Sequence, residues 1–170
     1  MKLYKEVLAP ITLSVIHREF TNLLETDHAW TCSSFKWKPD IKVNISGATM
    51  VAKVNDGIAS MILEDLGDKI PSMKSKRIQY CAWLPNSGIS THNDGMYTFG
   101  ATIYLNETWD INDGGIFMYE YADNDWRGHI PTFNTMTVND TKSLHLVTPV
   151  SPFAKHNRYT IQIFGDIENG

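Results

Sequence analysis

Apolar positions change their period once along this chain. Through residues 10–24 they recur at Leu13, Ile16, Phe20, Leu23 and Leu24, close to the 3.6-residue repeat of a helix that buries one stripe. Pro10 opens that segment, and Thr12 or Ser14 is a candidate cap. A second helix is predicted from Asn55 or Asp56 to Ile70, with Ile58, Met61, Ile62, Leu66 and Ile70 on its core face and Pro71 ending it. From residue 78 onward the pattern becomes short runs rich in β-branched and aromatic residues: 78–84, 97–105, 115–119, 135–138, 145–147 and 159–164. Residues 30–37 have strand-type composition and Lys38-Pro39-Asp40 punctuates them, whereas residues 42–55 carry no clear pattern. Many short strands divided by turn residues predict a mainly β fold with N-terminal helices, a sandwich or barrel in which the helices buttress one sheet. With no repeat, low-complexity tract or linker, residues 1–170 read as a single domain, 1–76 supplying the helices and first strands and 77–168 the main β core.

Composition narrows the function classes. A hydrophobic share of 42% and a charged share of 20% exclude wholesale disorder. A net charge of -4 excludes bulk electrostatic attraction to a phosphate backbone, so no nucleic-acid partner is expected. Cys32 and Cys81 are far apart and lack metal-ligand spacing, which predicts reduced, partly buried thiols. No run approaches the roughly 18 apolar residues needed to cross a bilayer, and the start of the chain has no apolar leader, so the expected location is cytoplasmic, with no membrane partner.

The candidate chemistry centres on Ser90-Thr91-His92-Asn93-Asp94-Gly95. Extended backbone points alternate side chains the same way, so His92 and Asp94 could grip one metal ion. By itself such a triplet is equally a polar loop with an Asx-turn. Downstream, His145 lies inside one apolar run and Arg158 at the start of another. Two imidazoles and a carboxylate form the facial triad of non-haem iron(II), leaving coordination positions for a cosubstrate and dioxygen. The remaining histidines, His17, His28, His129 and His156, read as surface or capping residues. Residues 121–131 read as a solvated loop without the calcium-binding EF-hand pattern, and residues 85–88 as a mobile loop of the kind that selects substrates.

Taken in order, His92-Asn93-Asp94, Tyr104-Leu105-Asn106, Trp109-Asp110, Gly114-Gly115-Ile116, His145 with Val147 and Pro149, and Arg158-Tyr159 resemble the core of the 2-oxoglutarate- and iron(II)-dependent dioxygenases of prolyl 4-hydroxylase type. Within that family the similarity is greatest to the hypoxia-responsive prolyl hydroxylases. The resemblance covers about residues 78–166 and implies a double-stranded β-helix, a distorted jelly roll. It implies Fe(II) on His92, Asp94 and His145, with 2-oxoglutarate as cosubstrate and ascorbate as a reductant. The distal carboxylate would be held by Arg158, whose planar fork suits it, with Tyr104, Thr102 and Thr160 completing that pocket. A prolyl residue of a peptide or protein is the implied substrate, with a small molecule behind it. Trp83 and Tyr80 stand where the relatives have a tyrosine ahead of the first iron histidine, and Phe117 where they have a smaller aliphatic residue, so these three are the candidate substrate contacts. The competing readings are a metal-free jelly-roll binding module and a zinc hydrolase using the same three ligands.

Overall fold

The computed structural model describes residues 1–26, 30–34, 48–139 and 141–168. His28 and the second half of the predicted 30–37 strand, with its Lys38-Pro39-Asp40 stop, lie outside the described residues, as do positions 42–47. In chain order the elements are β1 (Lys2–Lys5), α1 (Pro10–Leu24), β2 (Thr31–Ser34), β3 (Ala48–Lys53), α2 (Asp56–Leu66), β4 (Met73–Trp83), β5 (Ile89–His92), β6 (Phe99–Tyr104), β7 (Phe117–Ala122), β8 (Asp125–His129), β9 (Thr135–Asn139), β10 (His145–Val147) and β11 (Arg158–Ile167). Among the described residues they form a seven-stranded sheet, β1-β9-β6-β11-β4-β3-β2, and a four-stranded sheet, β5-β10-β7-β8.

Strand alternation divides the large sheet into two chemically different faces. One face presents Ile78 and Tyr80 of β4, Ile161 and Ile163 of β11, Ala101 and Ile103 of β6 and Met136 of β9; with Ile16 and Phe20 of α1 and Ile62 and Leu66 of α2 they make the main core. The opposite face carries Trp83 opposite Arg158, Cys81 opposite Thr160 opposite Tyr104, and Gln79 opposite Gln162 opposite Thr102, which itself pairs with Thr137. This polar face looks onto the small sheet, where a second cluster joins Phe117 and Val147 to Trp83 and Cys81. The helices therefore stabilise the sheet from behind, and the site-bearing face is left free for chemistry.

Both helices occur where the period placed them, with differences at their ends. Pro10 takes the first helical position, where its missing N–H costs nothing. The cap residue is Ala9, without a side-chain bond; Ala9 N–H instead donates to Asp65 Oδ2 at 2.8 Å, tying the start of α1 to α2. Thr12 is buried against the core and does not cap. Asn55 caps α2 by accepting from Gly57 N–H at 2.9 Å. That helix stops at Leu66, earlier than expected, because Gly67 turns to φ 46° and a 3-10 turn (Gly67–Lys69) carries the chain to Pro71. Met61 lies outside the main core, and Leu63 packs against the core instead.

Two other segments differ from the sequence reading, and a third had no assignment there. Residues 121–129 belong to a hairpin and not a loop: β7 and β8 pair from Phe117–His129 to Ala122–Asp125, and Asn124 at φ 60° makes the turn. Its polarity is that of an edge strand with one face in water. Residues 85–88 are fixed, since Asn86 N–H donates to Val150 O at 2.8 Å, Val150 N–H to Ser87 O at 2.9 Å, and the Ser87 hydroxyl to Leu84 O. The start of the chain forms β1, paired to β9 from Lys2–Val138 to Lys5–Thr135.

Candidate metal and cosubstrate site

β5 delivers His92 and β10 delivers His145 directly opposite it, so the two rings stand 4.2 Å apart between centroids. Asp94 follows in the turn after β5, where its N–H donates to Thr141 O at 2.9 Å. Its carboxylate oxygens lie 3.3 Å from His145 Nε2 and 3.8 Å from His92 Nε2. One ligand atom from each residue falls within 4.8 Å of the others. Adjacent ligands on one face of a six-coordinate ion stand about 3 Å apart, so small side-chain adjustments close the set on a metal.

The outer atoms agree with this assignment. His92 Nδ1 is 2.7 Å from Ser90 O, and His145 Nδ1 is 3.0 Å from Ser143 O. A carbonyl can only accept, so these two contacts call for the proton on each Nδ1, which turns each Nε2 toward Asp94 as the ligand atom. That tautomer is the one a metal needs. Two imidazoles and a hard carboxylate, with no thiolate, suit non-haem iron(II).

Deeper along the polar face lies Arg158, 1% exposed, its guanidinium carbon 5.2 Å from the Trp83 ring centre and 5.2 Å from that of Tyr104. Among the described residues no carboxylate pairs with it. Burial pulls its pKa below the ordinary value, and among the described residues its Nε and the neighbouring Thr160 Oγ1 are buried without a hydrogen-bond partner. An uncompensated buried cation is costly unless an anion meets it. Tyr104, also fully buried, directs its hydroxyl to Thr137 Oγ1 at 3.2 Å, and burial raises its pKa. A cavity of about 670 Å³ joins the two centres, lined by the three metal-site residues and by Thr102, Trp83, Phe117 and Arg158. The residues present thus fit an iron(II) ion at one end and a dicarboxylate whose far end reaches Arg158.

Of the three candidate substrate contacts, Trp83 and Phe117 line this cavity. Tyr80 does not. It lies on the other face of β4, where its hydroxyl donates to Glu19 Oε2 at 2.6 Å and its ring packs on Phe20. His17 and His156 are exposed, as expected, whereas His129 is half-buried: its ring packs 5.1 Å from that of Tyr104, and Nε2 meets Thr135 Oγ1 at 3.3 Å. Burial, then the charges of Arg158 and Lys5, hold its pKa below the usual histidine range. Cys81 is a free thiol, 1% exposed.

No protein-family model matches the chain, and no curated protein matches it in sequence. Its structure is similar to that of a prolyl-4-hydroxylase from Pseudomonas putida, with a TM-score of 0.71 and 14% identity over 98% of this chain and 92% of that one. A prolyl hydroxylase from Trichoplax adhaerens, in complex with a hypoxia inducible factor oxygen degradation domain peptide fragment, matches with a TM-score of 0.71 and 14% identity over 98% and 83%. An oxidoreductase of the 2OG-Fe(II) oxygenase family from Burkholderia pseudomallei matches with a TM-score of 0.64 and 16% identity over 91% and 80%. The fold is the double-stranded β-helix of the prolyl 4-hydroxylase type. In this fold the small sheet supplies both histidines and the large sheet supplies Arg158, so the cavity between the sheets reaches all three residues.

Thr137, Asn139, Gln79 and Gln162, none of them expected from the sequence, also line the cavity. A signal for two of them was present: Thr135-Met136-Thr137-Val138-Asn139 alternates polar and apolar residues with the period of a strand, placing Thr137 and Asn139 together on the polar face.

Proposed function

We propose that this chain is an iron(II)- and 2-oxoglutarate-dependent dioxygenase that hydroxylates a C–H bond, with conversion of 2-oxoglutarate and dioxygen to succinate and carbon dioxide. The observation that carries the reading is the pairing of a two-histidine, one-carboxylate set with a buried, anion-seeking Arg158 in one cavity. Bound iron(II) would supply dioxygen activation and the oxidising power, which side chains lack. His92, Asp94 and His145 would hold it; ascorbate would serve as the reductant that keeps it ferrous.

The chain's own residues position and exclude. Arg158 grips the distal carboxylate through two parallel charge-assisted hydrogen bonds, with the Tyr104 and Thr160 hydroxyls beside it. Thr102 lines the wall between. The Trp83 and Phe117 rings keep water from the reacting region, and Phe117 also packs against His145 at 5.5 Å between ring centres. A zinc hydrolase or a binding module would leave Arg158 buried for no purpose.

We assign a prolyl residue in a peptide or protein as the substrate. Supporting this are the ordered motifs from Tyr104 to Arg158 and a fold shared with proteins named as prolyl hydroxylases, one of them holding a peptide. The test is mass spectrometry of proline-containing peptides incubated with the iron-loaded protein, 2-oxoglutarate and air. Gain of one oxygen atom on proline, with succinate in equal amount, is the expected result. Succinate release that no peptide stimulates would contradict the prolyl assignment.

A further inference from the structure

Asn139 is the last residue of β9 and pairs with Gly100 of β6, and a Cβ on Gly100 would lie 3.5 Å from Asp94 Oδ2. The end of β9 therefore runs beneath the metal ligands. There the Asn139 carboxamide approaches His145, with Nδ2 at 2.8 Å from Nδ1. Its Oδ1 is buried and, among the described residues, has no hydrogen-bond partner.

The Ser143 carbonyl requires Nδ1 of His145 to carry a proton, and a proton there needs an acceptor, which a carboxamide offers only through its oxygen. A half-turn about the last torsion of Asn139 exchanges its two ends and brings the unpartnered Oδ1 to Nδ1. We propose that Asn139 is the positioning residue of the metal centre: its carboxamide oxygen shares the Nδ1 proton of His145 with Ser143 O, fixing the ring's plane and tautomer so that Nε2 faces the metal. Both histidines lean on the carbonyl two residues before them, and the β6–β9 register adds for His145 a side-chain anchor from the large sheet. Such partners orient the ring and raise its basicity, and their loss typically weakens metal binding by about 10 to 100-fold.

This inference rests on the metal-site reading, and the experiment separates the two. Co(II) is titrated into the metal-free full chain by calorimetry, for wild type, His145→Ala, Asn139→Ala and Asn139→Asp, with thermal melting of each metal-free protein alongside. Asn139→Ala should weaken Co(II) binding by about tenfold or more with little change in melting. Asn139→Asp, nearly the same shape and a stronger acceptor, should bind at least as tightly as wild type, and its bound Co(II) should show a shifted visible spectrum. A purely structural role would weaken both variants alike. Unchanged affinity in Asn139→Ala, or a loss in Asn139→Asp as large as in Asn139→Ala, overturns the proposal. A wild type that binds Co(II) no better than His145→Ala overturns the metal site itself and this inference with it.

Discussion

Arg158 stands directly opposite Trp83 across the β4–β11 ladder, with its guanidinium carbon 5.2 Å from the centre of the indole ring. The pairing encloses a cation that no described carboxylate neutralises, so its expected partner is the cosubstrate. Arg158→Ala should raise the half-saturating 2-oxoglutarate concentration by roughly 30-fold to several thousand-fold, the consequence of about 2–5 kcal/mol for removing one member of a buried charge pair. Arg158→Lys keeps the charge, loses the fork and should fall between. Metal content should match wild type in both, and a 2-oxoglutarate titration by succinate release reads the difference.

Gly115 presses on the same arginine from another side. A Cβ there would lie 2.6 Å from Arg158 Cδ and 3.4 Å from Trp109 Cζ2, on a backbone at φ 61°. Gly115→Ala should therefore combine backbone strain with displacement of the guanidinium. Stability should drop by about 1–3 kcal/mol in urea denaturation, and the 2-oxoglutarate half-saturation point should rise. An alanine variant that is unchanged in both would contradict this packing.

Burial pushes the Cys81 thiol up to about 12, against the lowering effects of Gln79, Arg158, Arg77 and Thr160. Folded protein should resist iodoacetamide at this cysteine at pH 8 and react in denaturant, as read by peptide mass mapping. The linkage has a definite sign. A thiol whose native pKa is raised binds its proton more firmly when folded, so its contribution is fully present below the ordinary thiol value near 8.5 and is lost as pH climbs toward the native one. Between about pH 8.5 and 10, wild type should lose up to about 1.4 kcal/mol per pH unit more than Cys81→Ala. The buried tyrosines add losses of the same sign only at higher pH, because their ordinary value is about 10.

What sequence could reveal depended on how local each determinant was. That His92, Asp94 and His145 come together, with Arg158 at the same cavity, was legible because strand alternation and ordered spacing place them, and Thr102 and Tyr104 share a face for the same reason. The same alternation puts Cys81 and Trp83 on one face of β4 and Tyr80 on the other, a distinction that grouping aromatic residues by type overlooked. The β7–β8 hairpin was hidden because an edge strand wetted on one face is as polar as a loop. The role of His129 was hidden because its burial comes from Tyr104 and Thr135, partners that local pattern does not announce. Residues 85–88 are polar like a mobile loop, and only their long-range bonds to Val150 hold them.

In the proposed reaction His92, Asp94 and His145 hold iron(II) so that 2-oxoglutarate, anchored by Arg158, is oxidised. Succinate release from 2-oxoglutarate by anaerobically iron-loaded protein, then exposed to air, tests it most directly, with His145→Ala and zinc-loaded wild type in parallel and chloride absent. About one iron per chain is expected, with succinate from the iron-loaded wild type alone, because two remaining ligands hold a labile divalent ion too weakly and zinc lacks the redox chemistry. Succinate formation by the folded His145→Ala protein at the wild-type rate, or none from a wild type carrying its full iron, would contradict it.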